Sequence, residues 1–342
     1  MDIYGTADLI EVIDTAYKPV NFLRNVFFPE IQTFDTQAIA FDRIKGARKL
    51  APFVSPCVEG RPVRRNGFTT DSFSPAYIKP KMALTPCNSV SRRPGERIGG
   101  GMSLADRRDM QIQDDLLQLV EMVDNRLEWM AAQALTYGYV DVVGDDYPLV
   151  RVDFQRNALN AVILAGVNLW SAAATAKPVT NLTTWAAVVA GNQGGSVTDV
   201  VFGANVWAAF SNTAEFKDLY KNVQMMGGPL PGILPTVMDD EQKIYHGQFG
   251  QFRIWTYNGT YTDEAGATQF YIPVNDVVMV AKQTMRGVQA FGAIMDHDSL
   301  QPAQYFPKMW KQNDPSVIYQ MVQSAPLLVP RNVDSTFRAT VL

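Results

Sequence analysis

The chain has 342 residues, 47% hydrophobic and 19% charged, with a formal net charge of −4; this suits about two globular domains with a substantial core and excludes a disordered chain. Two cysteines, Cys57 and Cys87, are too few for a secreted disulfide scaffold, and their spacing is no metal motif. The opening MDIYGTADLIEVID is acidic and amphipathic rather than a signal peptide, and no apolar run reaches the ~20 residues of a membrane helix, so a reduced cytoplasmic setting without a membrane is expected.

Along the chain, residues 6–17 predict a short helix, capped by Thr6, with Leu9, Ile10, Ile13 and Ala16 on one face. Residues 19–50 carry no helical period and read as extended. Residues 52–98 are different. Pro52, Pro56, Pro62, Pro75, Pro80, Pro86 and Pro94 interrupt them, and Asn66-Gly67 signals a turn. The expectation is a long β-hairpin that leaves the domain body, with Cys57 and Cys87 near its two ends as free thiols.

Charge is concentrated in the same place. Between Arg43 and Ile98 there are 12 Lys and Arg and three acids, Glu59, Asp71 and Glu96, a balance of +9 against −13 for the rest. A basic segment on an acidic chain fits nucleic acid or an acidic patch on a sister subunit. Arg61, Arg64, Arg65, Lys79, Lys81, Arg92 and Arg93 are the candidate contacts. They ride on a projecting Pro-rich loop with no helix to enter a groove, which favours the subunit contact. Gly99-Gly100-Gly101 follows, with neither the Lys-Ser/Thr of a phosphate loop nor a preceding strand, and reads as a hinge.

Ser103-Leu-Ala-Asp106 resembles a capping box, and no Gly or Pro occurs from Leu104 to Tyr137. Ile112, Leu116, Leu119, Val120, Val123, Leu127, Met130, Ala131 and Ala134 recur at steps of three and four. The result is a rod of ~50 Å with one apolar face. Asp114, Asp115, Glu121, Asp124, Arg126 and Glu128 are expected elsewhere on it.

Tyr139–Phe154 reads as a hairpin. The Ala- and Asn-rich 157–176 has no clear assignment. Short helices are expected at Thr184–Ala190, Ala204–Phe210 and Ala214–Asn222, and a buried strand at Thr198–Phe202. The runs KIYHG, FRIWTY, QFYIPV and VVMVA follow as strands, then SVIYQMVQSAP and FRATVL. The class is α+β. The chain leaves one domain, builds a second and returns to the first near residue 290.

Chemistry-bearing motifs are sparse. His246 and His297 are the only histidines, and no Gly-x-Ser-x-Gly elbow is present. Asp296-His297-Asp298 holds metal-capable side chains, but adjacent strand residues point to opposite faces, so a surface loop is the better reading. The acidic 238–241 reads as a solvated loop. No catalytic, cofactor or metal residue is nominated, and a structural role without enzyme activity is expected.

Several blocks, in order, carry a resemblance: NFLRNVFFPE, FVSPCVEGRPVRRNGFTTDSFSPAYIKPK, MRGVQAFGAIMD and YFPKMWKQNDPSVIYQMVQSAPLLVP. Together they resemble the lambda-type tailed-phage major capsid proteins, the capsid protein E family. The resemblance implies the Hong Kong ninety-seven capsid fold. It divides the chain into an N-terminal arm and start of the peripheral domain (1–52) and an extended E-loop (53–98). A peripheral domain follows (99–153, spine helix 103–137), then an axial domain (154–288) and a return to the peripheral domain (289–342). It further implies a subunit of an icosahedral virion shell, assembled in the host cytoplasm from hexameric and pentameric capsomers that enclose DNA without sequence-specific binding. A decoration protein, a portal, and a separate scaffold and protease are the implied partners. An encapsulin-like bacterial compartment of the same fold is the alternative.

Overall fold

The long helix organises the chain, and the physics of its ends and faces is local. In a computed structural model, which describes residues 4–16, 21–36, 39–45, 50–54, 56–57, 59–60, 62–63, 67–73, 75–90, 102–144, 147–192, 194–225, 242–263, 265–297 and 302–342, it runs over Leu104–Tyr137. The capping box forms reciprocally. The Asp106 N–H donates to Ser103 Oγ at 3.1 Å, and the Ser103 N–H to Asp106 Oδ2 at 3.2 Å. All nine apolar positions of the predicted stripe are buried. Gly138 stops the helix with φ +75, its N–H donating to Ala134 O at 3.1 Å. A Cβ there would lie 2.8 Å from Arg156 Cβ. Arg156 in turn donates from Nη1 to Leu135 O at 3.2 Å, placing a cation on the helix's last carbonyls. One expectation about this helix fails: Asp124 and Glu128 do not face solvent but are fully buried, and Asp115 nearly so.

The chain divides into two compact units, each assembled from three segments. The first comprises Met1–Ile39, Ser74–Ala132 and Val288–Val329. One three-stranded sheet in it sets Gly287–Phe291 between Glu30–Thr33 and Pro326–Pro330. A second, antiparallel, sets Val317–Gln323 between Phe306–Gln312 and Lys81–Leu84. The helix Thr6–Ala16 forms as the periodicity predicts, with Leu9 and Ile13 buried. The extended reading of 19–50 is corrected at Phe22–Phe27, which is a helix. Six residues cannot hold a helix by propensity. This one is held from outside, because Glu128 accepts two of its free N–H groups.

The second unit comprises Ala40–Phe73, Gln133–Gly287 and Pro330–Leu342. Its six-stranded sheet has the order Ala161–Ile163, Thr336–Thr340, Asp276–Val280, Asp199–Phe202, Phe252–Tyr257, Lys243–Phe249. The two central strands, DVVF and DVVMV, are buried at every residue, as continuous apolar runs should be. On the sheet packs the helix Pro178–Gly191, with Pro at its start. Trp170, Trp185, Phe202, Phe210 and Phe337 form the aromatic centre, with Trp170–Trp185 centroids 6.1 Å apart and Trp185–Phe337 5.5 Å. Tyr139–Gly144 and Tyr147–Asp153 make the predicted hairpin.

Three further expectations shift. The helix read at Thr184–Ala190 begins six residues earlier, at Pro178. Of the hairpin read over 52–98, the described part is a two-stranded ribbon of Ile39–Lys45 with Gly67–Phe73, so its first strand lies upstream of residue 52, and residues 91–98 lie outside the described residues. Lys81–Leu84 belongs instead to a body sheet and Pro86–Val90 to one helical turn. The return to the first body stops at Val329. The last strand, Thr336–Thr340, pairs with Asp276–Val280, its register set by alternate apolar residues Phe337 and Ala339 buried in the second core.

Candidate interaction surface

Most of the basic candidates fall outside the described residues: Arg61, Arg64, Arg65, Arg92 and Arg93, together with the glycines Gly99, Gly100 and Gly101. Lys79 and Lys81 are described, and both are exposed. Lys79 Nζ lies 4.9 Å from the Tyr77 ring centroid. Lys81 Nζ lies 3.9 Å from the Tyr319 centroid and 5.1 Å from that of Trp310. The antiparallel register explains this: Lys81 faces Met321, two residues along the strand from Tyr319, which itself faces Trp310. Lys81 therefore caps an aromatic pair rather than pointing free into solvent. The structure keeps Lys79 and Lys81 on one strip of chain.

Apolar side chains stand in solvent on the same excursion. Leu50 and Phe53 are fully exposed, and Val54 and Val63 about half exposed. Single exposed apolar residues are ordinary; these four share one basic stretch of the chain. Cys57 and Cys87 are exposed, and no disulfide joins them.

The residues weighed for chemistry have other work. His246 is buried mid-strand. Its Nε2 pairs with Thr256 Oγ1 at 2.8 Å, and its ring stacks on Trp207 with centroids 3.7 Å apart. Burial lowers its pKa to about 4, so the ring is neutral. Asp296 accepts from Lys308 Nζ at 2.9 and 3.1 Å, and His297 is exposed beside it. Asp298 and residues 238–241 lie outside the described residues. Among the described residues no group of three His, Cys, Asp or Glu could hold a metal ion, and no described helix is long and apolar enough to cross a membrane.

What the sequence reading missed is a buried polar network in the first unit. Glu128 accepts from the Leu23 N–H at 2.7 Å and the Arg24 N–H at 2.9 Å. Arg24 pairs with Asp124, which also accepts from Tyr305 Oη. Arg24 Nε donates to Gln289 Oε1 at 2.7 Å, and Gln289 Nε2 to Phe28 O at 2.6 Å. Burial alone would lower the Arg24 pKa, but Asp124 and Tyr305 together raise it, so the guanidinium stays charged. Burial chiefly raises the Tyr305 pKa, keeping that hydroxyl protonated and able to donate. The one sequence signal was the i, i+4 spacing of Asp124 and Glu128, adjacent to the apolar stripe. The network joins three remote chain segments, one of them the long helix, and fixes how the first unit's N-terminal segment docks.

The chain matches the family described as phage major capsid protein E over residues 5–341. It is 30% identical to the major capsid protein of Escherichia phage N15, with 98% of both chains covered. To the major capsid protein of Escherichia phage lambda it is 28% identical, again over 98% of each. The crystal structure of a prophage capsid protein from Escherichia coli CFT073 has the same fold, with a TM-score of 0.76 at 22% identity over 100% of both chains.

Proposed function

This chain belongs to the phage major capsid protein E family, and on that premise we propose that it is the repeating subunit of an icosahedral head, built from hexamers and pentamers and enclosing packaged DNA. The carrying observation is the end-to-end match over residues 5–341, because shell formation uses the whole chain and no single site. No bond is made or broken in this function. The subunit works as a building block, not an enzyme.

Weak contacts, repeated by every copy, add up to a strong shell. The basic excursion, with Arg61, Arg64, Arg65, Lys79, Lys81, Arg92 and Arg93, would lie on the acidic remainder of a neighbouring copy. Its prolines lower the entropy lost on docking. Each contact is repeated by every subunit around a ring, so avidity supplies what one contact lacks. Residues 1–52 would serve as arm and start of the peripheral domain, 53–98 as E-loop with Lys81–Leu84 rejoining the body sheet, and 99–153 as peripheral domain with its spine. The axial domain would be 154–288 joined by the last strand, with 289–329 returning to the peripheral domain. Gly99, Gly100 and Gly101 would act as the hinge if the shell expands. An acidic remainder suits an inner surface on which DNA must slide without sticking. Decoration protein, portal, and separate scaffold and protease are the partners this role calls for, with assembly in the host cytoplasm.

Expression of the chain with and without its neighbouring genes, followed by electron microscopy and measurement of DNA content, tests the reading. Shells that fill with DNA when the packaging genes are present are expected. Shells that never take up DNA would favour the encapsulin-like compartment. A stable monomer under every condition would overturn both.

A further inference from the structure

The first unit's sheet of Phe306–Gln312, Val317–Gln323 and Lys81–Leu84 encloses a polar group that it does not satisfy. Gln320, in the central strand, is 2% exposed, and neither its Oε1 nor its Nε2 has a hydrogen-bond partner. The register sets it directly between Met309 on one neighbouring strand and Met82 on the other. The next positions on the same face of the sheet, Ile318, Val322, Leu84 and Pro307, are apolar too. A buried water needs several polar partners, and these side chains offer none. An amide desolvated without a partner disfavours the closed sheet. Methionine has nearly the same length and would carry no such penalty.

The two edge strands are not held equally. Phe306–Gln312 is tied to the central strand by the turn at 313–316, and the helix Thr6–Ala16 packs against it. Lys81–Leu84 pairs with the central strand over four residues. Upstream of it, Pro80 has no N–H to give, and only the isolated bridge of Ile78 with Ser324 follows. Downstream there is open space: Leu84 and Ile318 line a hollow of about 370 Å³ together with Val90 and Leu104. Lifting Lys81–Leu84 would take Met82 away from Gln320 and open the amide to water. The strand with the weakest hold is therefore the one whose release relieves the unsatisfied group.

We propose that Lys81–Leu84 is a releasable strap, and that Gln320 sets how often it opens. Released, the strap carries Lys81 off the Trp310 and Tyr319 rings. Lys79 and Lys81 then become available together to an acidic surface. That consequence rests on the contact role proposed for the two lysines; the release itself does not. Local opening of this kind has its own free energy, separate from global unfolding, and amide exchange reads it strand by strand.

The test is hydrogen exchange of the full, unassembled chain, read by mass spectrometry over Lys81–Leu84, Phe306–Gln312 and, as a reference in the second unit, Asp276–Val280. In the wild type Lys81–Leu84 is expected to exchange faster than Phe306–Gln312. Gln320→Met is expected to slow Lys81–Leu84 about tenfold, and Gln320→Glu, which buries a charge, to speed it by at least as much. Asp276–Val280 should not change in either variant. Should Gln320→Glu fail to fold, Gln320→Met decides alone. Unchanged or faster exchange of Lys81–Leu84 in Gln320→Met would mean that the amide is satisfied in the closed sheet, and overturns the inference. Equal slowing of Phe306–Gln312 would mean that the sheet opens as a whole, and also overturns it. None of these outcomes depends on whether the chain forms shells, so the capsid reading stands or falls separately.

Discussion

The two units hold their distant segments together by different physics. In the first, a complete ion pair is desolvated: the Arg24 and Asp124 side chains are 3% and 1% exposed. In the second, the carboxylates of Asp199 and Asp276 are buried at strand ends, but their partners Arg253 and Arg338 reach solvent at 44% and 26%. Its centre is aromatic and aliphatic instead. Burying both charges of a pair costs about what their attraction returns, so the first unit's network adds little net stability over an apolar replacement. It selects instead. Only an arginine at 24 satisfies Asp124, Gln289 and Tyr305 together, which fixes where a six-residue helix lands on the long one. The sheet of the second unit needs no such key, because continuous apolar runs and strand register specify it.

Substitutions in the two interiors are expected to separate them. Trp170→Ala empties the middle of the aromatic cluster and is expected to cost ~3–5 kcal/mol in urea denaturation. A loss under about 1 kcal/mol would mean the second core is not what holds that unit. Asp124→Ala strands a buried guanidinium and is expected to cost ~3–5 kcal/mol. The double variant Arg24→Met, Asp124→Leu is expected to recover most of that loss. If the double variant is as unstable as the single one, the network is a net stabiliser and not a selector.

Burial holds the His246 pKa near 4, below its ordinary 6.5, so the unfolded chain takes the proton first. The stability tied to a neutral ring is then complete above pH ~6.5 and falls as the pH drops towards 4, by up to ~1.4 kcal/mol per unit. His246→Gln is expected to flatten the profile in that window. The difference between the two profiles isolates the ring from the carboxylates that titrate nearby, and identical profiles would refute the assignment. Lys81→Ala, which uncaps Trp310 and Tyr319, is expected to cost only ~0.5–1 kcal/mol. A cost above 2 kcal/mol by thermal melting would contradict that exposed cation–π geometry.

How much of this was legible in the sequence depends on the range of the forces involved. The long helix was readable to its last residue, because apolar period, capping box and terminal glycine are all local. So was the strand DVVF, a short apolar run between turn signals. The Phe22–Phe27 helix was not, since its stabilising partner lies more than 100 residues away at Glu128. Asp124 and Glu128 looked like solvent charges because nothing in a charge pattern tells a buried partner from water. The Ala-rich 157–176 gave no period because it folds as two 3₁₀ turns flanking a three-residue edge strand. Of the candidate surface, composition singles out the basic stretch Arg43–Ile98. That Ala161–Ile163 is an edge strand, with Ile163 exposed, came only from the sheet order.

The most direct test of the capsid reading is sedimentation velocity of the purified chain across a salt series, with electron microscopy of each fraction. Rings of five or six copies, or closed shells, are predicted, and they should weaken as salt screens the basic excursion from its neighbour. A single monomeric species at every salt concentration, with no rings in any fraction, would contradict it.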